Sequence, residues 1–342
     1  MRSFLLLAVL AGNLACDGRA SLSASDAFAG DGGTSLQLAC RSGESAKIAT
    51  SPDIQTPLVT DASAVYWGVS DGIWKIAAAG GSIVQLVSGA GIPYDIALGS
   101  KDVFWTTGYW NDQSQILAVP KGGGSSRELW SSKERVATSI AVDDSHIFWI
   151  SGDQHGSQII GAIHSMPKEG GAVTLIASAE SDPQDLTVDR THVFWLNLGN
   201  DSEMHGRSVR KAPKTGGPPE TLSSTPHSAT GDGRRSLIAL DETFVYWLDP
   251  GEQVIRKVPK AGGKPTTLVW GLNQPRAIGT AEGSLYYSDD GRVGRIASTG
   301  ERSNICQGQS CLTDRVWGIA VGVGGVFLTD GYSTSSIVRI CP

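Results

Sequence analysis

The segment Ile140–Trp149, IAVDDSHIFW, contains the pattern that decides the fold, and Leu186–Trp195, LTVDRTHVFW, repeats it 46 residues later. Each segment has a β-rich run, a polar turn and a second β-rich run. Each ends in a triplet of an aliphatic residue, an aromatic residue and tryptophan. Two short apolar runs around a polar turn predict a β-hairpin.

The triplet recurs along the chain, with tryptophan as its third residue in most copies and with 38 to 52 residues between successive copies. An aliphatic residue stands nine positions before the last residue of every triplet, so the hairpin has one length throughout. Repeats of about 40–50 residues with strand-like content are typical of propeller blades. The seven triplets are Val65-Tyr66-Trp67, Val103-Phe104-Trp105, Ile147-Phe148-Trp149, Val193-Phe194-Trp195, Val245-Tyr246-Trp247, Leu285-Tyr286-Tyr287 and Val326-Phe327-Leu328, and the preceding aliphatic residues are Leu58, Ile96, Ile140, Leu186, Ile238, Ile278 and Ile319.

A third and a fourth strand follow each hairpin. Four copies end the third strand with Pro-Lys and then place two glycines, which supply the positive φ values that tight turns need. The inner strands are apolar on both faces, as expected for sheets packed between sheets. We therefore predict an all-β, seven-bladed propeller, with six or eight blades as alternatives, and we interpret the triplets as core packing.

The last copy has only three strands, and the missing fourth lies near the N-terminus. The run Ala46–Ser51 aligns with the fourth strand Val173–Ser178, so we predict that an N-terminal strand completes the last blade and removes an exposed sheet edge. This closure brings Cys40 near Cys341 and predicts a disulfide between them. We expect a second, local disulfide between Cys306 and Cys311. Four free buried thiols are the alternative.

The first 15 residues read as a signal peptide, with Arg2, an apolar run and then small residues. The sequence before Cys16 resembles a bacterial lipobox, although Asn13 stands where that pattern favours leucine. Cys16 is thus the expected lipidation site, and ordinary cleavage after Ala20 is the alternative. Residues 16–43 have the composition of a flexible tether, and residues 44–342 form the predicted propeller.

The composition excludes some function classes. The formal net charge is −6 and the isoelectric point is about 5.5. No basic patch of the kind that binds nucleic acid is visible. Four lysines follow the prolines of the third strands and recur once per blade, so we expect them to form an arc on one face that solvates the turn tips. They are Lys121, Lys168, Lys214 and Lys260.

The connections between the second and third strands are long only in blades 2 to 4, which suggests that the function lies on their face. Exposed aromatic and polar side chains there suit contact with carbohydrate or peptide. Asp201 and Glu203 could bind Ca²⁺, and His155 and His205 a transition metal, although solvated loop residues are the simpler interpretation and we expect no cofactor. The candidate binding residues are Tyr109, Trp110, Asp112, His155, Asp201, Glu203 and His205.

A second candidate region is the mouth of the central channel, formed by residues just before each innermost strand. Asp95, Asp185 and Arg276 are the charged residues there, and two carboxylates beside an arginine could act as an acid–base set. Capping of strand ends or hydrogen bonding to neighbouring blades is the alternative. The channel-mouth candidates are Tyr94, Asp95, Gln184, Asp185, Arg276 and Trp317.

Three copies resemble the YWTD repeat of extracellular receptor propellers, namely Tyr246–Asp249, Tyr286–Asp289 and Phe327–Asp330. Residues 44–341 are also similar to the NHL-like and TolB-like propellers of secreted bacterial lipoproteins. The resemblance implies the fold strongly and the function weakly. Two hypotheses for the function remain. In the first, the chain is an exported, lipid-anchored monomer at the outer membrane, periplasm or cell surface that binds protein or glycan. In the second, it is a propeller enzyme, either a lyase or a metal-dependent, lactonase-like hydrolase, with its site at the channel mouth.

Overall fold

The triplets form the second strand of each blade in the computed structural model of the chain. The structure describes residues 44–51, 54, 58–70, 72–89, 91–108, 113–153, 160–199, 206–225, 237–307, 316–322, 324–330 and 335–341. Within these ranges, 28 strands form seven four-stranded antiparallel sheets. The innermost strands of successive sheets contact one another, and the innermost strand of the last sheet contacts that of the first. The predicted seven-bladed propeller is therefore confirmed.

The strands are numbered in chain order, and each blade lists its strands from the channel outward. Blade 1 comprises β2 (Val59–Thr60), β3 (Ala64–Val69), β4 (Gly72–Ala77) and β5 (Val84–Ser88). Blade 2 comprises β6 (Pro93–Leu98), β7 (Asp102–Thr107), β8 (Ser114–Pro120) and β9 (Arg127–Ser132). Blade 3 comprises β10 (Arg135–Val142), β11 (His146–Asp153), β12 (Ile160–Pro167) and β13 (Thr174–Ser181). Blades 4 and 5 comprise β14 (Pro183–Val188), β15 (His192–Asn197), β16 (Arg207–Pro213) and β17 (Glu220–Thr225); and β18 (Leu237–Leu240), β19 (Phe244–Asp249), β20 (Val254–Pro259) and β21 (Thr266–Val269). Blades 6 and 7 comprise β22 (Ile278–Ala281), β23 (Ser284–Asp289), β24 (Arg292–Ile296) and β25 (Arg302–Gln307); and β26 (Val316–Gly322), β27 (Gly325–Asp330), β28 (Ser335–Ile340) and β1 (Ser45–Ser51).

The nine-residue offset seen in the sequence is the register of the hairpin. The aliphatic residue of the first strand lies directly opposite the last residue of the triplet, for example Ile140 opposite Trp149 and Leu186 opposite Trp195. The same pairing joins Ile96 to Trp105 and Ile319 to Leu328. A fixed offset keeps the same side chains on the same sheet face, because a slip of one residue would turn every side chain over.

The core consists of seven clusters, each between two neighbouring blades. The middle aromatic residue of a triplet packs against the first and third residues of the next triplet, as Phe148 does against Val193 and Trp195. Phe327 packs in the same way against blade 1 and closes the ring of clusters. Successive residues of a strand point to opposite faces, so three apolar residues in a row serve both neighbours. The interpretation of the triplets as core packing is confirmed.

An N-terminal strand closes the ring. β1 pairs antiparallel with β28, with Ser45 opposite Ile340 and Ser51 opposite Ser335. The backbone amide of Cys341 also donates to the carbonyl oxygen of Glu44 at 2.9 Å. Cys306 and Cys341 are both buried. Their predicted partners, Cys311 and Cys40, lie outside the described residues, so both disulfides stay predictions.

Most of the recurring lysines do not form a solvated arc, because an aspartate of the preceding blade binds them. Lys121 Nζ lies 2.7 Å from Asp61, and Lys214 Nζ lies 2.7 Å from Asp143. Lys260 Nζ repeats the contact with Asp189 at 3.0 Å. The three ammonium groups also lie 5.3–5.7 Å from the middle aromatic ring of the preceding triplet. The lysine is thus an inter-blade contact on the face opposite the long connections.

The aspartate of each pair is held by its own turn. Burial would raise the pKa of Asp143, but hydrogen bonds from Lys214 and from the backbone amides of Ser145 and His146 lower it to about 2. The pKa of Asp189 falls to about 2 for the same reasons. The carboxylates therefore stay ionised in the folded protein at pH values well below those at which an aspartate usually takes up a proton.

In the described ranges no helix is long and apolar enough to cross a membrane.

Candidate functional site

Except for Arg276, the channel-mouth residues predicted from the sequence lie at β-bulges in the first strands of their blades. The register between the first two strands shifts just before Asp95 in blade 2 and just before Asp185 in blade 4. Tyr94 and Gln184 are therefore the extra residues of these bulges. The same shift occurs at Trp317 in blade 7. The structure describes only the backbone of Trp317 and not its side chain. A bulge changes the direction of the side chain that follows it.

Asp95 uses its bulge to reach the next blade. Its Oδ1 accepts a hydrogen bond from its neighbour Ile96 N at 2.9 Å, and its Oδ2 accepts one from Ile140 N in blade 3 at 3.0 Å. The residue is 9% exposed. This carboxylate therefore ties the innermost strand of blade 2 to that of blade 3.

Asp185 makes the equivalent bridge two blades further on. Its Oδ1 accepts from Leu186 N and from Ser139 Oγ, and its Oδ2 accepts from Ile238 N, all at 3.0 Å. The contacts link the innermost strands of blades 3, 4 and 5. Asp95, Ser139 and Asp185 thus form a belt of inter-blade hydrogen bonds. Such bonding between blades is the alternative to an acid–base set that the sequence left open for the two carboxylates.

The remaining channel-mouth candidates, Trp317 included, are divided among four blades. Gln184 Nε2 donates to Asp182 Oδ1 at 2.7 Å, and burial raises the pKa of Asp182. Tyr94 is half-buried and packs over Gly108. Arg276 lies before β22 of blade 6, two blades from Asp185, and its backbone amide donates to Ser288 Oγ at 2.9 Å.

The long-connection candidates fall outside the description. Tyr109, Trp110, Asp112, His155, Asp201, Glu203 and His205 lie outside the described residues, as does Cys16. In the part of the chain that the structure describes, no group of three or more His, Cys, Asp or Glu side chains is placed to hold a metal ion. The expectation of no cofactor, with Ca²⁺ at the loop acids as the alternative, stays a prediction.

A serine–histidine pair in blade 3 was not foreseen from the sequence. Ser151 Oγ lies 2.8 Å from His164 Nε2. Burial and the charge of Arg135 lower the pKa of His164 to about 4, so the imidazole is neutral at pH 7. Ser151 has no exposed surface. A nucleophile needs access to its substrate, so this buried pair is a packing contact and not a reactive dyad.

A more informative cluster lies between blades 3 and 4. The Glu180 side chain is fully buried and accepts hydrogen bonds from Trp195 Nε1 at 2.8 Å, Asn197 Nδ2 at 2.7 Å and Arg210 Nη1 at 2.6 Å. A buried carboxylate is tolerated only when charge and hydrogen bonds match it. The backbone beside it has positive φ at Ala179, a conformation that costs a non-glycine residue about 1–3 kcal/mol.

The cluster continues into a cleft between blades 4 and 5. Asp249, at the end of β19, pairs with Arg207 at the start of β16, and Arg256 Nη1 lies 3.8 Å from the same carboxylate. Glu252 in turn pairs with Arg256. The cleft opens to solvent and has a volume of about 10 Å³, which is room for about one water-sized group. Its lining residues are Leu196, Asn197, Arg207, Ser208, Val209, Ser223, Thr225, Trp247 and Asp249.

Asn197 Oδ1 and Ser223 Oγ are buried polar atoms of this lining that have no hydrogen-bond partner in the described structure. Asn197 is 6% exposed and Ser223 is 7% exposed. The contact of Asn197 Nδ2 with the Glu180 carboxylate fixes the orientation of the amide, because only the nitrogen can donate there. An unsatisfied buried polar atom costs about 1–3 kcal/mol, so these two atoms indicate a place for a further partner.

Ser223 also breaks the internal repeat. It lies opposite Val209, and the residues that occupy the same place in the other blades are apolar or sulfur-containing. They are Ala49, Val87, Trp130, Ala177, Val269 and Cys306. A residue that departs from its own repeat at a buried position is expected at functional sites. The signal was present in the sequence, but it needs the strand register to be seen.

The cleft lies on the face of the long connections, because its residues come from the ends of second and fourth strands and the starts of third strands. Asp201, Glu203 and His205 directly precede Arg207 in the chain. The two charged side chains of the described lining, Arg207 and Asp249, form an ion pair and sum to zero. The arrangement can therefore bind a neutral polar group by hydrogen bonds.

Comparison with known proteins supports the fold. No protein-family model and no curated protein matches the sequence. Among solved structures, the chain is similar to the YWTD propeller of a nidogen/laminin complex, with a TM-score of 0.54 and 16% identity over 75% of this chain and 97% of that chain. It is also similar to a puromycin hydrolase S511A mutant complexed with PGG, with a TM-score of 0.58 and 13% identity. That match covers 82% of this chain and half of the hydrolase chain.

A third similar structure is the computationally designed Ika8 protein. Its TM-score is 0.56 at 12% identity, over 86% of this chain and 98% of that chain. A natural binding protein, a hydrolase and a designed protein share this architecture, so the similarity shows the fold alone. The resemblance to YWTD propellers is confirmed at that level, and bacterial secretion stays a prediction.

Proposed function

We propose that the propeller is a recognition module that binds its ligand on the face of the long connections, at the cleft between blades 4 and 5. The observation that carries this proposal is that Asn197 Oδ1 and Ser223 Oγ are buried in that cleft and have no hydrogen-bond partner among the described residues. The similarity to the propeller of a nidogen/laminin complex is consistent with a binding role, because propellers present binding loops on a rigid scaffold.

Catalysis at the channel mouth is the less supported alternative. Both carboxylates that would form an acid–base set accept backbone hydrogen bonds from the next blade, at Ile140 for Asp95 and at Ile238 for Asp185. A general acid or base must reach a substrate proton, and these contacts hold both carboxylates against the backbone of the neighbouring blade. The puromycin hydrolase match spans half of that protein, so its activity is no guide to this chain.

The proposal includes a location. We infer from Arg2, the apolar run that follows it and Cys16 that the chain is exported and lipid-anchored, with residues 16–43 as a tether. Metabolic labelling with a fatty acid tests this: label should enter the wild-type protein and not Cys16→Ser. Equal labelling of both proteins would contradict the anchor and leave the binding proposal intact.

Binding is tested with the full-length protein, fluorescently labelled, on a printed panel of purified glycans and glycoproteins. Thr225→Arg places a bulky side chain at the rim of the cleft. Thr299→Arg is the matched control, in an exposed turn on the opposite face of blade 6. We expect retention of a subset of the panel by the wild type and by Thr299→Arg, with loss in Thr225→Arg. No retention by the wild type, or retention unchanged in Thr225→Arg, would overturn the proposal.

A further inference from the structure

The outer edge of blade 3 differs from the outer edges of the other six blades. β13 is the fourth strand of this blade, and no strand pairs with its outer side among the described residues. An edge of this kind offers unpaired backbone N–H and C=O groups to a strand of another chain. We propose that a second copy of this chain pairs with β13 edge to edge, so that the monomer expected from the sequence is in equilibrium with a two-fold symmetric dimer. The proposal does not depend on the cleft between blades 4 and 5.

Leu175 is the residue that distinguishes this edge. It lies opposite His164, just before the bulge of the fourth strand, and it is 55% exposed. The equivalent position of every other blade is also exposed, but it carries a polar residue. A residue that breaks its own repeat by exposing a large apolar side chain is expected at a functional surface. The six polar residues are Lys47, Gln85, Glu128, Thr221, Thr267 and Asn304.

The apolar surface continues along the same edge. Val173, two residues before Leu175, is 44% exposed, and Ile160 at the start of β12 is 47% exposed. Residues two apart in an extended chain lie on the same side, so Val173 and Leu175 form one apolar strip. Three of the five exposed large apolar side chains in the described ranges thus belong to the outer part of blade 3, the other two being Val84 and Trp270. Apolar side chains that cluster on a surface in this way indicate a contact with another molecule.

The charges of the seven edges indicate which molecule covers this one. A two-fold axis places an edge strand beside its own copy, so an exposed charged side chain on that strand comes close to a like charge. Four edges, β1, β9, β17 and β25, carry exposed charged residues, which is a common protection against association of sheets. β13 has eight residues, and its charged residue, Glu180, is buried in the cluster between blades 3 and 4. The exposed charged residues of the four protected edges are Lys47, Glu128, Glu220 and Arg302.

Two other edges lack charged residues, but they are shorter. β5 has five residues and β21 has four, and neither carries a large apolar residue at the position of Leu175. β13 is thus the edge on which length, absence of exposed charge and an apolar strip coincide. A two-fold axis perpendicular to the sheet keeps Val173 and Leu175 of both copies on one face, so each copy covers the apolar strip of the other. A second copy of the chain therefore fits this edge.

The geometry also determines the strength and the orientation of the dimer. A bulge with positive φ at Ala179 interrupts β13, so the pairing covers about Val173–Ser178. This contact is short compared with specific interfaces, which bury about 1,200–2,000 Å², and we expect a dissociation constant of the order of 10 µM. Antiparallel pairing turns one ring upside down relative to the other, so the two faces with the long connections point in opposite directions.

The test is sedimentation velocity of the full-length chain carrying Cys16→Ser, so that no attached lipid drives association. We expect the fraction of dimer to rise between about 1 and 100 µM protein, a range that brackets the expected dissociation constant. Leu175→Lys places like charges side by side and removes the apolar contact, so the dissociation constant should rise at least about tenfold. The melting temperature of this variant, measured at about 1 µM, should equal that of the parent chain, because Leu175 is largely exposed.

Thr221→Lys is the matched control. Thr221 occupies the position of Leu175 on the outer strand of blade 4 and is also exposed. This variant should dimerise as the parent chain does. Hydrogen exchange gives a second readout that reports edge pairing directly: backbone amides of Val173–Ser178 should be more protected at about 100 µM than at about 1 µM, whereas those of β17 should not change.

Three results would each overturn the proposal. The first is a monomer at every concentration, and the second is a dimer that Leu175→Lys does not weaken or that Thr221→Lys weakens equally. The third is equal hydrogen exchange of residues 173–178 at both concentrations. None of these results bears on ligand binding at the cleft, which Thr225→Arg tests separately.

Discussion

A lysine placed at residue 298 should create the inter-blade ion pair that the junction of blades 5 and 6 lacks. Ser298 occupies the position of Lys260, because the turn bond from Gly300 N to Ala297 O repeats that from Gly262 N to Pro259 O. Across the junction, Asp241 accepts a hydrogen bond from the Tyr246 hydroxyl. In blade 1, Asp61 binds the Tyr66 hydroxyl and Lys121 together, so the two contacts are compatible.

The size of the effect follows from the existing pairs. The pKa of Asp143 falls from 3.8 to about 2, which corresponds to about 2.5 kcal/mol in favour of the ionised form. Backbone amides supply part of this preference, and the Asp143 side chain keeps 20% exposure. Solvent screening therefore leaves about 0.5–1 kcal/mol for the lysine. With an unfolding entropy of about 2.1 cal/mol/K per residue over roughly 300 residues, the melting temperature should rise by about 1–1.5 °C.

The assay is a double-mutant cycle at pH 7, measured by calorimetry and by urea unfolding. Ser298→Lys and Ser298→Met are made in the wild type and in Asp241→Asn, so that the methionine reports packing without charge. The lysine should stabilise the wild type more than the methionine does, and this difference should vanish with Asp241→Asn. A gain of equal size in both backgrounds would show that Asp241 does not bind the lysine and would refute the ion-pair reasoning.

Three further predictions concern acid, the channel belt and the cysteines. The pKa values of Asp143 and Asp189 are about 2 in the folded protein and near 4 in the unfolded chain, so these carboxylates stabilise the fold fully above about pH 4 and lose that effect as the pH falls to about 2. The melting temperature should therefore fall less steeply over this pH range in Asp143→Asn than in the wild type. An equal slope in both proteins would contradict this prediction. In Asp95→Asn, an amide NH2 group replaces one carboxylate oxygen and faces a backbone N–H, so that two donors meet. The variant should lose about 2 kcal/mol of unfolding free energy in urea, whereas an unchanged stability would reopen a catalytic role for Asp95. Peptide mapping after alkylation without reduction should find Cys40 joined to Cys341 and Cys306 to Cys311, and free alkylated thiols at these positions would disprove the pairing.

The sequence predicts the ring because its decisive contacts have a fixed offset in the chain. Ile140 and Trp149 pair within one hairpin, and the same nine-residue offset recurs in every copy, so local reasoning extends to the whole sheet. The N-terminal closing strand was predictable for a different reason. The last repeat lacks a strand that the first residues of the propeller can supply, and an unpaired edge is costly.

The inter-blade contacts were not predictable in the same way. Asp143 and Lys214 belong to successive repeats, and each reads as an ordinary turn residue within its own copy. The cleft is harder still, because Glu180, Asn197 and Asp249 come from three blades and meet only when the blades are packed. Ser223 could have been found by aligning the fourth strands, because all seven blades have a bulge at the same place beside this position.

Closure by β1 has a consequence for synthesis. Ser45 leaves the ribosome early, whereas its partner Ile340 follows about 295 residues later. At roughly 5–20 residues per second, the first strand waits about 15–60 s without its neighbour while six blades are completed. A chain that stops before β28 never acquires that neighbour and keeps an unpaired sheet edge, which favours aggregation. Pairing of β1 with β28 therefore stabilises the ring only after all seven blades have been synthesised.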